Sequence, residues 1–280
     1  MRNTFLRLTV PVAALALAAA CIILPDAGDS GGWRTIPEPS SSSSSSSSPG
    51  AEMRETVDFA PGATLSLEND YGDIEILGWD RDAAEIVARG EEEPSRQPTS
   101  ARVSRGRSTR PNVEIRETRD GLLVRTPTFE GPGRPPVVNY EIRVPSDVAL
   151  TGIRISEGDL KVSDVFGRIE ASLDQGNLTV INYSGVIGAT IGTGDADVEV
   201  LDLRETDSIT ITSGRGDIIL RLETGVGAII EADAPRGEVR SDFDLGVKLP
   251  VRTVKGWIGQ GGPNIILKAS DGRIDIRSVR

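Results

Sequence analysis

Glycines at positions 158, 167, 176, 185 and 194 recur every nine residues, and this spacing limits the possible fold more than any other feature of the chain. Each is followed by one polar or variable residue and then an apolar one: Asp159-Leu160, Arg168-Ile169, Asn177-Leu178, Val186-Ile187, Asp195-Ala196. The fifth position alternates Val162, Ala171, Val180, Ala189, Val198. The eighth is large and apolar only in every second block, at Val165, Tyr183 and Leu201. The unit is therefore eighteen residues, one Val-type strand and one Ala-type strand. Beyond Asp202 the period loosens, but Gly216-Asp217-Ile218, Gly237-Glu238-Val239 and Gly272-Arg273-Ile274 keep the motif, and Gly72-Asp73-Ile74 precedes the run.

Alternation of apolar and polar residues gives each short segment one buried face, the signature of a strand. The glycine supplies a corner where a side chain would clash or where φ is positive. A fixed repeat with no helix-period stretch after residue 24 predicts an all-β, single-stranded parallel β-helix (a β-solenoid) of about 18 residues per coil. Successive coils would lie about 4.8 Å apart, with the right-handed crossover usual for parallel strands. Leu160, Ile169, Leu178 and Ile187 would form the interior, the Ala wall letting the Val wall close in. The alternative is an antiparallel sandwich of many short strands. Solenoid ends expose unpaired edges, so capping or end-to-end association is expected.

Residues 1–20 read as an export signal. Arg2 and Arg7 precede the apolar stretch Leu8–Ala20, and Ala18-Ala19-Ala20 leads to Cys21. This resembles the lipobox of bacterial lipoproteins, which implies lipidation of Cys21, although Ala18 stands where the pattern has leucine. A plain signal peptide, or an uncleaved anchor from Leu8 to Leu24, is the alternative. Residues 21–50 contain Pro37-Glu38-Pro39 and nine consecutive serines, Ser40–Ser48. Too little apolar surface is present there to offset ordering entropy, so a disordered tether reaching roughly 30 Å is predicted. The solenoid domain is assigned to residues 51–280.

The segment Glu68-Asn69-Asp70-Tyr71-Gly72-Asp73-Ile74-Glu75-Ile76-Leu77-Gly78-Trp79-Asp80, followed by Tyr140-Glu141-Ile142-Arg143-Val144-Pro145 and the glycine ladder, resembles the bacterial putative-adhesin domains, also known as domain of unknown function 4097. The resemblance spans roughly residues 52–280. It implies a β-solenoid in the cell envelope, no catalytic residues and no cofactor, and it names no ligand. The Arg-rich stretch 94–111 and the Pro-rich stretch 127–136 depart from it as inserted loops.

Composition narrows the chemistry. The 280 residues include 31 Lys+Arg, 42 Asp+Glu and no histidine, for a net charge of −11. Without histidine there is no imidazole relay or ligand. With Cys21 alone there is no disulfide framework or thiolate zinc cluster. The acidic balance disfavours nucleic acid as a partner. Nonapeptide spacing with aspartates suggests calcium-binding rolls, but Arg168 and Val186 stand where a continuous ion ladder needs ligands. Asp and Asn bonding local turn backbone is the simpler account. Arg215-Gly216-Asp217 spells a tripeptide that integrins recognise on flexible loops. The pairs Asp195/Asp197, Asp242/Asp244 and Asp80/Asp82 have the spacing of glycosidase acids but read as a solvated strand face. Only Tyr71, Trp79 and Trp257 are candidates for stacking on sugar. Arg96, Arg102, Arg105, Arg107 and Arg110 form a basic cluster that would suit an anionic partner.

These readings converge on a non-catalytic, envelope-anchored adhesin or surface-binding protein. It would be exported and held to a membrane, the outer membrane included, through lipidated Cys21. Its partner would be another envelope protein or a surface glycan. The competing readings are an envelope-stress sensor or scaffold and a polysaccharide-active β-helix enzyme.

Overall fold

The computed structural model describes residues 52–90, 111–129 and 135–279. Nineteen strands join one hydrogen-bonded sheet, and no helix occurs among the described residues. The fold is all-β. Two parallel ladders form its middle. The first comprises β3 (Ile74–Trp79), β9 (Leu160–Ser163), the start of β11 (Leu178–Thr193), β12 (Ala196–Asp202), β14 (Ile218–Glu223) and β19 (Ile274–Val279). The second comprises β2 (Thr64–Tyr71), β8 (Ala149–Glu157), β10 (Phe166–Gln175), the end of β11, β13 (Ser208–Arg215), β18 (Asn264–Asp271) and β15 (Ala228–Asp233). Strand β11 belongs to both because its chain turns at Asn182, which is left-handed at φ 57°.

Register follows the repeat. Leu160 pairs with Leu178 and Ile169 with Ile187, one eighteen-residue unit apart. Ile74, Leu160, Leu178, Ala196, Ile218 and Ile274 form one buried column across the first ladder. Leu150, Ile169, Ile187, Ile209, Ile265 and Ile230 form its counterpart in the second. Fully burying each such side chain is worth about 1.5–3 kcal/mol, so these columns supply the main cohesion between strands.

Two expectations need correction. The Ala wall is short, because Ala171 and Ala189 continue in register into Ile153 on one side and Ile211 on the other. Leu201 does not repeat the buried positions of Val165 and Tyr183: it is 40% exposed, and Val200 pairs with Tyr183. The register of β11 against β12 shifts there, because β11 carries one more residue than β12 at its left-handed Asn182, which moves the inward position back by one residue.

Both ends of the parallel stack are closed by reversed strands. At one end β7 (Val138–Pro145) runs parallel to β3, but β4 (Ala83–Gly90) is antiparallel to β7 and β1 (Glu52–Asp58) antiparallel to β4. Beside them β6 (Gly121–Arg125) is parallel to β2 and β5 (Glu114–Thr118) antiparallel to β6. At the other end β17 (Thr253–Ile258) is antiparallel to β15. There β16 (Val239–Ser241) follows β19 in parallel, and Val239 forms an antiparallel bridge to Val251. A reversed strand covers an edge without offering the template for another coil.

Candidate functional site

The residues that follow the repeat glycines sit at one corner of the stack. Gly72, Gly158, Gly176, Gly194 and Gly216 all have positive φ there. A Cβ on Gly176 would lie 1.9 Å from the Gly158 carbonyl oxygen, and one on Gly194 1.9 Å from that of Gly176. Only glycine fits where backbone stacks this closely on backbone. The residue after each glycine then reaches along the stack. Asp73 Oδ1 accepts the Asp159 N–H at 2.9 Å, Asp159 Oδ1 the Asn177 N–H at 2.8 Å, and Asn177 Oδ1 the Asp195 N–H at 2.9 Å. Asp195 Oδ1 accepts the Asp217 N–H at 2.8 Å, and Asp217 Oδ1 the Arg273 N–H at 2.7 Å. Asn139 Oδ1 extends the series at its start, accepting the Asp73 N–H at 2.8 Å. The expected bonding to local turn backbone is thus corrected: each side chain bonds the corresponding corner beside the neighbouring strand instead, which satisfies corner N–H groups that the ladders leave unpaired.

The same arrangement engages several of the acids considered above. The Oδ1 atoms of the corner acids are occupied by backbone donors. No group of three or more His, Cys, Asp or Glu able to hold a metal ion occurs among the described residues. In the Arg215-Gly216-Asp217 tripeptide, Asp217 Oδ2 accepts the Arg273 guanidinium at 2.7 Å and 3.2 Å, so its carboxylate is engaged rather than presented. Burial pushes the Asp217 carboxyl up, but the backbone hydrogen bond from Arg273, its guanidinium bond and its charge together hold it below the usual carboxylate range. Members of the acid pairs take separate partners. Asp195 serves the corner, Asp197 pairs with Arg221, Asp242 Oδ2 accepts the Ser278 N–H at 3.1 Å, and Asp244 Oδ1 accepts the Gly246 N–H at 2.9 Å. Asp82 gives its backbone oxygen to the Phe59 N–H at 3.2 Å.

Three polar arrangements were not visible in the sequence. The first is a buried relay. The Tyr140 hydroxyl lies 2.5 Å from Thr126 Oγ1, which donates to Asn69 Oδ1 at 2.9 Å, while Asn69 Nδ2 donates to the Val138 and Gly72 carbonyls at 2.9 and 3.1 Å. Burial pushes the Tyr140 phenol up to about 12, the Thr126 bond opposing. The second is a closed ring of ion pairs across β1, β4 and β7. Glu52 contacts Arg54 and Arg89, Glu85 contacts Arg54 and Arg143, and Glu141 contacts Arg143 and Arg89, all between 2.6 and 3.2 Å. Hydrogen bonds from Arg89 and Arg54 hold the Glu52 carboxyl below its ordinary value. The third is a groove of about 250 Å³ at the edge of β2 and β8, where Arg125 and Arg154 both turn onto Glu68, at 3.5 and 3.3 Å.

The outward side of β11 and β13 differs from all of these. Val186, Gly188 and Thr190 on one strand meet Ser208, Thr210 and Thr212 on the other, and no charge interrupts them. Their alternate neighbours Ile187, Ala189, Ile209 and Ile211 are buried, so this set faces solvent. Gly192 and Gly214 keep the end of the strip low, a Cβ on Gly214 coming within 2.6 Å of the Gly192 oxygen.

The aromatic candidates separate. Tyr71 is half-buried. Trp79 is half-buried, donates from Nε1 to the Ala83 carbonyl at 2.9 Å and is covered by the Arg81 guanidinium 5.0 Å from its ring. Trp257 is 68% exposed. Cys21 and the basic cluster Arg96, Arg102, Arg105, Arg107 and Arg110 lie outside the described residues.

No protein-family model matches the chain, and no curated protein matches it. Among solved structures it is similar to a putative cell adhesion protein from Clostridium sporogenes at 14% identity, covering 81% of this chain and 99% of that one, with a TM-score of 0.38. It is similar also to a putative adhesin from Bacteroides fragilis (11% identity, 81% and 97% covered, TM-score 0.31). A putative lipid binding protein from Parabacteroides distasonis gives 11% identity, 82% and 98% covered, and a TM-score of 0.33.

Proposed function

We propose that this chain is a non-catalytic surface-binding protein of the bacterial envelope. In this reading it is a right-handed parallel β-solenoid of about eighteen residues per coil, held to a membrane through lipidated Cys21. The uncharged strip on β11 and β13 carries the reading: Thr190, Thr210, Thr212 and Ser208 stand on paired backbone in a chain that is 26% charged. Such a surface is ordered before it meets a partner, so binding requires little further ordering entropy. Of the acids that an enzymatic reading would enlist, Asp195 is tied to corner backbone and Asp197 to Arg221.

The test is crosslinking from intact cells with the tagged full-length chain. Thr190→Arg with Thr212→Arg places two bulky cations on the strip without touching the interior. Its crosslinked partners should be lost while the β-sheet spectrum is retained, and an unchanged partner set overturns the reading. Cys21→Ala should release the chain from the membrane fraction, and retention there rejects the anchor.

A further inference from the structure

We propose that Trp257, set beside Ile229, Lys255, Glu231 and Asn264, is a stacking platform for a neutral hexopyranose of a surface glycan. The inference rests on the surface-binding reading and names a partner class for a second position on the same ladder.

The platform is fixed by its strand. Val254, Gly256 and Ile258 are buried on the inner side of β17, and a Cβ on Gly256 would lie 2.6 Å from the Leu245 carbonyl oxygen. That side therefore cannot rotate outward, and the alternation of the strand commits Thr253, Lys255 and Trp257 to solvent. Every residue of β17 pairs with β15, which holds Trp257 opposite Ile229 and Lys255 opposite Glu231. Ile229 pairs on its other side with Asn264 of β18. Trp257 and Ile229, at 68% and 48%, are the two most exposed large apolar side chains among the described residues, and they are cross-strand neighbours. An exposed indole supported by a second apolar side chain remains in contact with water at a cost that a ligand would remove.

The surroundings select the ligand. A pyranose ring has an apolar C–H face and a rim of hydroxyl groups. Its C–H face suits the negative π-face of indole. Its rim needs donors and acceptors at the edge of that contact, and the Asn264 amide, the Lys255 ammonium and the Glu231 carboxylate supply both kinds. Lys255 Nζ lies 3.0 Å from Glu231 Oε2, so the two charges cancel locally and the patch attracts neither anion nor cation.

That neutrality disfavours uronates, sulfates and phosphates. A lipid surface fits less well: interfacial binding needs a broad apolar face with cations around it, whereas two apolar side chains stand here beside a Lys255–Glu231 pair whose charges cancel. A second copy fits poorly too. A stable interface takes about 800 Å² from each partner, and a tryptophan contributes about 150–250 Å².

The test uses the full chain with two sets of probes. The neutral set is hexamers of β-1,4-glucose, β-1,4-N-acetylglucosamine and α-1,6-mannose. The charged set is hexagalacturonate and vesicles containing phosphatidylglycerol. Calorimetry and ligand-observed NMR should show binding to at least one neutral hexamer, with Trp257→Ala weakening it about ten-fold or more and Trp257→Phe recovering part of the loss. Unfolding midpoints of both variants should match wild type, because the side chain stands outside the core. Lack of binding to every neutral hexamer overturns the platform, as does wild-type affinity in Trp257→Ala or Trp257-dependent binding confined to the charged set. The surface-binding reading is judged separately, by the crosslinking loss in Thr190→Arg with Thr212→Arg.

Discussion

Asp217 performs two tasks with two oxygens, and they can be separated by substitution. Oδ1 holds the Arg273 backbone N–H, a task that Asn177 performs equally well for Asp195 with a carboxamide. Oδ2 holds the Arg273 guanidinium. Asp217→Asn therefore keeps the corner and loses only a partly exposed ion pair, costing under about 1 kcal/mol at pH 7. Asp217→Ala loses both and costs about 1–2 kcal/mol. The folded carboxyl is held below its unfolded value, so its contribution is present above the unfolded pKa of about 3.9 and is lost as pH falls through the lower folded value. Urea unfolding of wild type and Asp217→Asn should differ at pH 7, and the gap should narrow progressively as pH falls below about 4. A gap that is independent of pH throughout the acid range would mean that the guanidinium bond is not its source. The same two bonds engage the carboxylate of Arg215-Gly216-Asp217, which the tripeptide read by itself could not reveal.

Like β5, strand β1 depends little on apolar burial. None of its seven residues is buried, and it is held by antiparallel pairing to β4 and by the ion ring. Two ring members on β4 join β1 to β7: Arg89 between Glu52 and Glu141, and Glu85 between Arg54 and Arg143. Glu85→Gln should raise amide exchange throughout β1 while β9 and β11 stay protected, and 1 M NaCl should act in the same direction because these pairs are exposed to screening. Equal protection of β1 in wild type and variant would assign its hold to backbone pairing alone. The contrast between β1 and β9 also marks how far the sequence could be read. Strands β9 to β12 were legible because each carries the Gly-x-apolar corner, and backbone stacked on backbone tolerates nothing else there. The capping strands β1, β4 and β17 have no such corner. Their partners are chosen by reversed pairing, and the ring joins Glu52, Glu85 and Glu141 from distant parts of the chain. Tyr71, Trp79 and Trp257 looked equivalent for a similar reason, since a strand shows which residues share a face but not what covers that face.

If the coil is the unit of the whole molecule, one coil is removable. Deleting residues 160–177 joins Asp159 to Leu178 and preserves a Gly-Asp-Leu corner. Ile74, now paired with Leu160, would meet Leu178, and Leu150, now paired with Ile169, would meet Ile187, because the deleted residues stand in register between them. Asp159 Oδ1 would receive the Asp195 N–H in place of that of Asn177. Tyr183 loses the Gly167 carbonyl 2.5 Å from its hydroxyl but keeps that of Val186 at 2.8 Å. Stability should fall by one coil's share, as expected where each repeat contacts only its neighbours. Deleting nine residues instead, 160–168, brings Ile169 and Ala171 into the ladder that holds Leu178 and Val180, and puts the Gly176-Asn177 corner where the left-handed Asn182 corner belongs. Circular dichroism and urea unfolding should find the eighteen-residue deletion folded and cooperative and the nine-residue deletion unfolded. Equal behaviour of the two would show that the chain does not count in eighteens, and the two ladders would then need another explanation than stacked coils.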